Sequence, residues 1–374
     1  MTPTRRANAA TFVLLVVILV VLAGFAVSAY ALLRATRERA SAEAARAAAQ
    51  QAQVQARVAE SMAALEAERL REGATANTPA ASTAEASAIR IGYSQCNRGE
   101  PWREQMDKDI KAHAAKHPEI QLIAKDAQNE ALRQIAQVKE FVSGKVDTLI
   151  ISPKDTSLTA AVAEAFESGI PVIVLDRAVE GEKYTCFIGA DNRLIGAEVG
   201  KWVVKTLNGT GNVVELKGLA STIPSRDRSE PFHDALKSTG IKVLYEADME
   251  WLSDRAREKM QAALSRNPQK GSIQLVYGAN DPAAIAAYNA AKDAGRENEI
   301  IFVGVDALPH EGVEMVRRGV LAATFEYPNG ADLAIETALR LKKGEAVPKK
   351  ITLGTRLFTR ENVDQGGTPI PAKP

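Results

Sequence analysis

Only two cysteines, Cys96 and Cys186, occur in 374 residues. They form no CxxC pair and no Cys/His spacing that would hold zinc, and a disulfide between them is left open rather than required. Histidine is nearly as scarce, with four in the chain. His113 and His117 stand at i, i+4, but they continue the Met106/Ile110 stripe of an amphipathic helix. His117 would fall at that helix's C-terminus, where an imidazolium is stabilised. The chain lacks a GxSxG elbow, a phosphate-binding loop and an HExxH pair, since His310-Glu311-Gly312-Val313-Glu314 has no second histidine. These absences speak against an enzyme and against a cofactor or metal. Surplus charge is missing too: 47 lysines and arginines balance 46 aspartates and glutamates, so a nucleic-acid partner has no electrostatic footprint. No short fixed period recurs, which excludes solenoids and propellers.

What is present begins with Thr11–Leu33, an uncharged apolar run of about the length that spans a bilayer. Arg5 and Arg6 precede it while Arg34, Arg37 and Arg39 follow it, so flanking charge does not set its orientation. Small residues at Val27-Ser28-Ala29 and Ala29-Tyr30-Ala31 would suit cleavage of a secretory signal. The run's continuation to Leu33 favours a retained anchor, and both readings export the remainder. From Arg34 to Glu72 the chain is rich in alanine, glutamine, glutamate and arginine without glycine or proline, which predicts a long helix, a solvated spacer or, through the short stripe Val54, Val58, Met62 and Leu65, a weak coiled coil. At ~1.5 Å per residue it would reach on the order of 60 Å. Gly73 ends it, and Ala74–Ala88 reads as a linker of small and polar residues.

A chain of this length exceeds the usual size of one hydrophobic core, so two packed units are expected. From Ile89 to about Gly366, apolar runs alternate with amphipathic stretches in βαβ order. Strands are predicted at Ile89–Ser94, Ile120–Ala124, Thr148–Ser152 and Val172–Leu175, with helices at Trp102–Lys116, Glu130–Ser143 and Ser157–Ser168. The second half repeats the rhythm, with strands at Asn212–Leu216, Lys242–Glu246, Ile273–Tyr277, Ile300–Val305 and Leu321–Phe325. Its helices are expected near Arg193–Leu207, Asp227–Ser238, Asp254–Leu264, Pro282–Ala294 and Glu311–Arg318. Two parallel sheets flanked by helices follow from this order.

In open parallel sheets, ligands bind beyond the carboxyl ends of the strands, so the residues there are the candidates for a site. They are Gln95 with Trp102 and Arg103, then Ser152, Asp176 and Arg177 in the first half. The second half contributes Asn192, Arg228, Asn280, Asp306 and Glu326. An Asp or Asn in such a place often caps a helix or forms a turn, but Arg177 and Arg228 cap nothing at a helix N-terminus. Forked polar side chains beside an aromatic ring suit a sugar, whose hydroxyls donate and accept and whose C–H face is apolar.

These residues stand in Ile91-Gly92-Tyr93-Ser94-Gln95 with Trp102-Arg103, Ile151-Ser152-Pro153, Val174-Leu175-Asp176-Arg177, and Ala190-Asp191-Asn192. The pattern continues in Arg226-Asp227-Arg228, Asn280-Asp281, Val303-Gly304-Val305-Asp306 and Ala323-Thr324-Phe325-Glu326. With them the stretch from Ile89 to Gly366 resembles the ribose/galactose class of type I periplasmic binding proteins, especially their galactofuranose-binding members. The resemblance implies two α/β lobes joined by three crossovers. The first would comprise about 89–191 and 327–350, the second about 192–326 and 351–366, with 367–374 as a tail. It implies that Asp176, Arg177, Arg228, Asn280 and Asp306 bind sugar hydroxyls and that Trp102 stacks on the ring. Gln95, Arg103, Ser152, Asn192 and Glu326 join them through the same resemblance. Pro231 departs from the glycine usual before the aromatic of the Arg228 helix, and Cys96 lies in the loop after the first strand.

The resemblance further implies an extracytoplasmic protein that closes on a monosaccharide and passes it to an ABC-type permease. A sensory protein presenting the sugar to a membrane receptor is the alternative. A transcription factor with this core would need a helix-turn-helix where this chain has its apolar span. If that span is retained, the expressed protein will sediment with membranes and N-terminal sequencing will find residues before Thr11. A soluble product beginning near Tyr30 or Leu32 would reduce the segment to an export signal.

Overall fold

The computed structural model describes residues 88–371. The membrane span, the spacer helix and all of the linker but Ala88, expected over 11–88, lie outside them. Among the described residues no helix is long and apolar enough to cross a membrane.

The first sheet contains β1 (Ile89–Gln95), β2 (Ile120–Asp126), β3 (Thr148–Ser152), β4 (Val172–Leu175), β5 (Cys186–Ala190) and β11 (Lys350–Leu353), in the order β11-β5-β4-β3-β1-β2. Its central strands β3 and β4 are buried at every position, as a parallel sheet covered by helices on both faces requires. Helices α1 (Pro101–Ala114), α2 (Ala131–Ser143) and α3 (Thr159–Glu167) supply the crossovers. Pro101 opens α1 at a position where its missing N–H costs nothing.

The second sheet holds β6 (Thr210–Lys217), β7 (Gly240–Asp248), β8 (Leu275–Gly278), β9 (Ile301–Asp306), β10 (Ala323–Glu326), β12 (Thr355–Thr359) and β13 (Thr368–Ile370). Their order is β13-β12-β10-β9-β8-β6-β7. Around it lie α4 (Asn192–Thr206), α5 (Ile223–Leu236), α6 (Ser253–Arg266), α7 (Asp281–Asp293) and the short α8 (Gly312–Arg317). Helix α9 (Ala331–Lys342) follows β10 and packs on α1 of the first lobe. The chain therefore crosses between sheets three times, after β5, after β10 and after β11.

Close approach of two helices fixes the second lobe. A Cβ on Gly196 of α4 would collide with the backbone of Arg228 on α5, so glycine there is a packing requirement. Pro231 sits inside α5 and is buried, and the helix runs through it although the residue can donate no backbone bond.

Four expectations are corrected. The sheets are not wholly parallel, because β12 pairs antiparallel with β10 and with β13. The first-lobe boundary at 350 falls short, since β11 adds to β5 of the first sheet, and the supposed tail contains β13 of the second. Helix α5 begins at Ile223 rather than Asp227, with Pro224 in its first turn, so Arg228 projects from its interior. Strands β5, β11, β12 and β13 and helix α9 were not anticipated.

Candidate functional site

The carboxyl ends of both sheets face a partly open cleft with about 300 Å³ of space free of atoms, open solvent included. From the first lobe, Glu100, Trp102 and Arg103 at the start of α1 line it together with Asp176 and Arg177 after β4. From the second come Pro224 and Arg228 of α5, Trp251 after β7, Asn280 after β8 and Asp306 at the end of β9. Tyr327, on the crossover after β10, completes the lining.

Arg103 is 3% exposed and its Nη2 lies 2.5 Å from Asp176 Oδ2, while its Nη1 donates to Ser152 Oγ at 2.6 Å. Burial works against the guanidinium's charge, yet Asp176 beside it raises its pKa on balance. Asp176 Oδ1 accepts from the Tyr327 hydroxyl at 2.6 Å, and that hydroxyl accepts from Asn192 Nδ2 at 3.3 Å. Arg228 Nε donates to Asn192 Oδ1 at 2.8 Å, and its Nη1 donates to the Ala279 carbonyl at 2.5 Å. A continuous polar chain thus runs from the first lobe through two crossover residues into the second. Burial, reinforced by Asp176, pushes the Tyr327 phenol up, so it stays a donor at any physiological pH.

Aromatic rings frame this chain. Trp102 Nε1 donates to the Tyr327 carbonyl at 2.7 Å, with the two ring centroids 5.1 Å apart. The Arg228 guanidinium lies 4.2 Å from the Tyr327 ring centroid and 5.4 Å from that of Trp251. Glu250 and Trp251 both have positive φ, and the Trp251 ring lies on Gly218, where any Cβ would collide with it. Its buried Nε1 has no hydrogen-bond partner among the described residues, which leaves a donor beside the cleft.

Two acidic residues sit at strand ends in strained backbone, Asp176 at φ 69° and Asp306 at φ 126°. The second is held by Asp281, whose Oδ2 accepts from the Ala307 N–H at 2.7 Å and whose Oδ1 accepts from Thr324 Oγ1 at 2.6 Å. Gly304 and Gly312 leave room for that carboxylate, since a Cβ on either would strike it. Burial pushes the Asp306 carboxyl well above its usual range, with Arg228 opposing. Burial likewise lifts nearby Glu311 to about 7. Asn280 caps α7 by accepting from Ala283 N at 3.0 Å while its Nδ2 donates to the Trp251 carbonyl at 3.3 Å.

Of the eleven residues expected from sequence, the cleft gathers Trp102, Arg103, Asp176, Arg177, Arg228, Asn280 and Asp306. Gln95, Ser152 and Asn192 stand behind it. Gln95 Nε2 donates to the Tyr93 hydroxyl at 2.8 Å, Ser152 holds Arg103, and Asn192 holds Tyr327 and Arg228. Glu326 is displaced, because Arg356 of β12 takes both its oxygens at 2.7 Å outside the cleft. Arg177 Nε lies 4.0 Å from Asp176 Oδ2, at the outer limit of an ion pair, and Arg177 Nη1 donates to the Lys154 carbonyl at 2.7 Å. Cys96 and Cys186 are both free and buried, with the Cys96 thiol beside Arg177 and pushed up by burial. Glu100, Pro224, Trp251 and Tyr327 were missed.

The model for the periplasmic binding protein domain family matches residues 91–346. The chain is 31% identical over 280 residues to the galactofuranose-binding protein YtfQ of Escherichia coli (strain K12), covering 73% of this chain and 88% of the relative. Among solved structures it resembles the fructose binding periplasmic domain of a hybrid two component system at 38% identity and a TM-score of 0.71, covering 74% of this chain and 93% of that one. It also resembles the periplasmic component of the arabinose ABC transporter from Shewanella sp. ANA-3, bound to L-arabinofuranose, at 26% identity and a TM-score of 0.70. That match covers 74% of this chain and 94% of that one.

The Asp281 latch yields a prediction. Asp281→Ala leaves the buried Ala307 N–H without an acceptor, which costs about 1–3 kcal/mol of stability, and frees the strained Asp306 turn. Ligand affinity should drop at least about tenfold, or ~1.4 kcal/mol. Asp281→Asn keeps an acceptor for Ala307 and should recover most of both losses. Denaturant midpoints and ligand titrations of the two variants check this, and equal behaviour of Ala and Asn would remove the latch from the account.

Proposed function

The chain belongs to the periplasmic binding protein domain family, and from that premise we propose that it binds a neutral monosaccharide, a pentose or furanose-form hexose, by closing its lobes. The family's members are extracytoplasmic substrate-binding proteins, and this chain is no enzyme. The observation that carries the sugar reading is the mixture of donors and acceptors in the cleft. Three guanidiniums, Arg103, Arg177 and Arg228, stand among the carboxyl groups of Glu100, Asp176 and Asp306. Sugar hydroxyls, which both donate and accept, suit a lining that offers forked donors beside carboxyl acceptors. Names of relatives that bind galactofuranose and arabinofuranose support the furanose form.

The loaded protein would deliver its sugar to an ABC-type importer, tethered to the membrane by Thr11–Leu33. A second reading, presentation of the sugar to a membrane receptor or histidine kinase, is favoured by the 38% identity to a sensor's periplasmic domain. A permease and ATPase encoded beside this chain would point to transport, and a histidine kinase would point to sensing.

Calorimetric titration with D-fructose, L-arabinose, D-galactose and D-ribose, alongside an amino-acid panel, tests the ligand class. The expected result is saturable one-to-one binding of at least one sugar and no heat from amino acids. Binding confined to amino acids would overturn the assignment.

A further inference from the structure

Away from the cleft, three side chains from separate elements converge: Glu215 on β6, Glu246 on β7 and His233 on α5. Their donor atoms all lie within 4.8 Å of one another. Glu215 and Glu246 are direct partners in the parallel ladder, so the pleat sends both carboxylates to one face. Like charges placed opposite each other destabilise a sheet unless a cation stands between them. The demand is sharpened by burial, since the Glu215 side chain is 1% exposed while that of Glu246 is 51% exposed. His233 Nε2 stands 2.7 Å from Glu215 Oε2 and 3.4 Å from Glu246 Oε2. Lys217 serves the other side, with Nζ 3.4 Å from Glu246 Oε1 and 3.9 Å from Asp248.

We infer that Glu215, His233 and Glu246 form a binding site for a divalent transition-metal ion of the zinc class. One imidazole and two carboxylates make a donor set that such an ion accepts, at bonds of ~2.0–2.2 Å that put tetrahedral donors ~3.3 Å apart. The two separations from His233 bracket that value and the two carboxylates lie within 4.8 Å of each other, so binding asks for an opening of the His233–Glu215 contact and adjustment of the half-exposed Glu246 side chain. Water completes the coordination from the side where Glu246 and His233 meet solvent. Calcium or magnesium, which take six or more oxygens, are poorly served by three donors of which one is nitrogen. The ion would pin α5, which carries Arg228 five residues before His233, to β6 and β7. The site is independent of the sugar reading.

Without a metal, a protonated His233 is the counter-ion of the pair, and its hydrogen bond to Glu215 raises its pKa above the ordinary 6.5. Glu215 and Lys217 on β6 and Glu246 and Asp248 on β7 are the charged groups around it. Metal and proton therefore compete for the same nitrogen.

The untagged full-length chain, stripped with chelator and titrated with zinc chloride alone at pH 7.5, should take up one ion. Affinity should fall about tenfold per pH unit below the His233 pKa. Glu246→Gln, at a half-exposed position that leaves folding intact, should weaken zinc at least tenfold, and His233→Asn should abolish this binding. No saturable zinc uptake, or uptake by both variants equal to that of the unsubstituted chain, would overturn the site and leave His233 an imidazolium counter-ion.

Discussion

The Asp176 carboxylate is the point on which the cleft depends. One oxygen is committed to Arg103 and the other to Tyr327, and nearly all of it is buried. An isolated charge in that place would be very costly, so neither partner is dispensable, and removing one member of such a buried pair costs about 3–5 kcal/mol. Because Tyr327 and Asn192 pass the contact on to Arg228, the guanidinium of the second lobe is oriented by the carboxylate of the first. A substitution at Asp176 therefore lowers stability as well as affinity, although the residue sits at a strand end where side chains otherwise tolerate change.

Backbone strain serves the same pre-organisation. Positive φ at Asp176 and Asp306 turns the chain sharply at the ends of β4 and β9 and holds each carboxylate at the cleft. The cost of such conformations is met locally, by Tyr327 and Arg103 at the first and by Asp281 bonded to Ala307 and Thr324 at the second. Asn280 and Asp281 are neighbours with separate tasks: one lines the cleft and caps α7, the other locks the turn behind it.

Much of this was legible where burial alone dictates sequence. Thr148–Ser152 and Val172–Leu175 were bounded correctly because a doubly covered parallel strand is a continuous apolar run. β5 escaped notice because Cys186–Ala190 is short, ends in small residues and follows a long polar loop. The misplacement of Glu326 has a related cause: its partner Arg356 lies on β12, an antiparallel strand that βαβ rhythm does not anticipate, so the adjacent Tyr327 went unread. Trp251 reaches the cleft from two consecutive left-handed residues, for which the only sequence trace is Gly218, 33 residues earlier, left without a side chain to receive the ring. Glu215, His233 and Glu246 share no motif spacing at all: the ladder register brings the two glutamates together, and the packing of α5 brings His233 to them.

The central claim is that one ligand, held by Asp176, Arg103 and Arg177 on one side and Arg228, Asn280 and Asp306 on the other, supplies the free energy of lobe closure. Tyr327 and Asn192 lie on two of the three crossovers that join the sheets. Small-angle X-ray scattering of the protein with and without a saturating sugar measures it most directly. The account predicts a smaller radius of gyration with sugar, and saturable binding without compaction would contradict it.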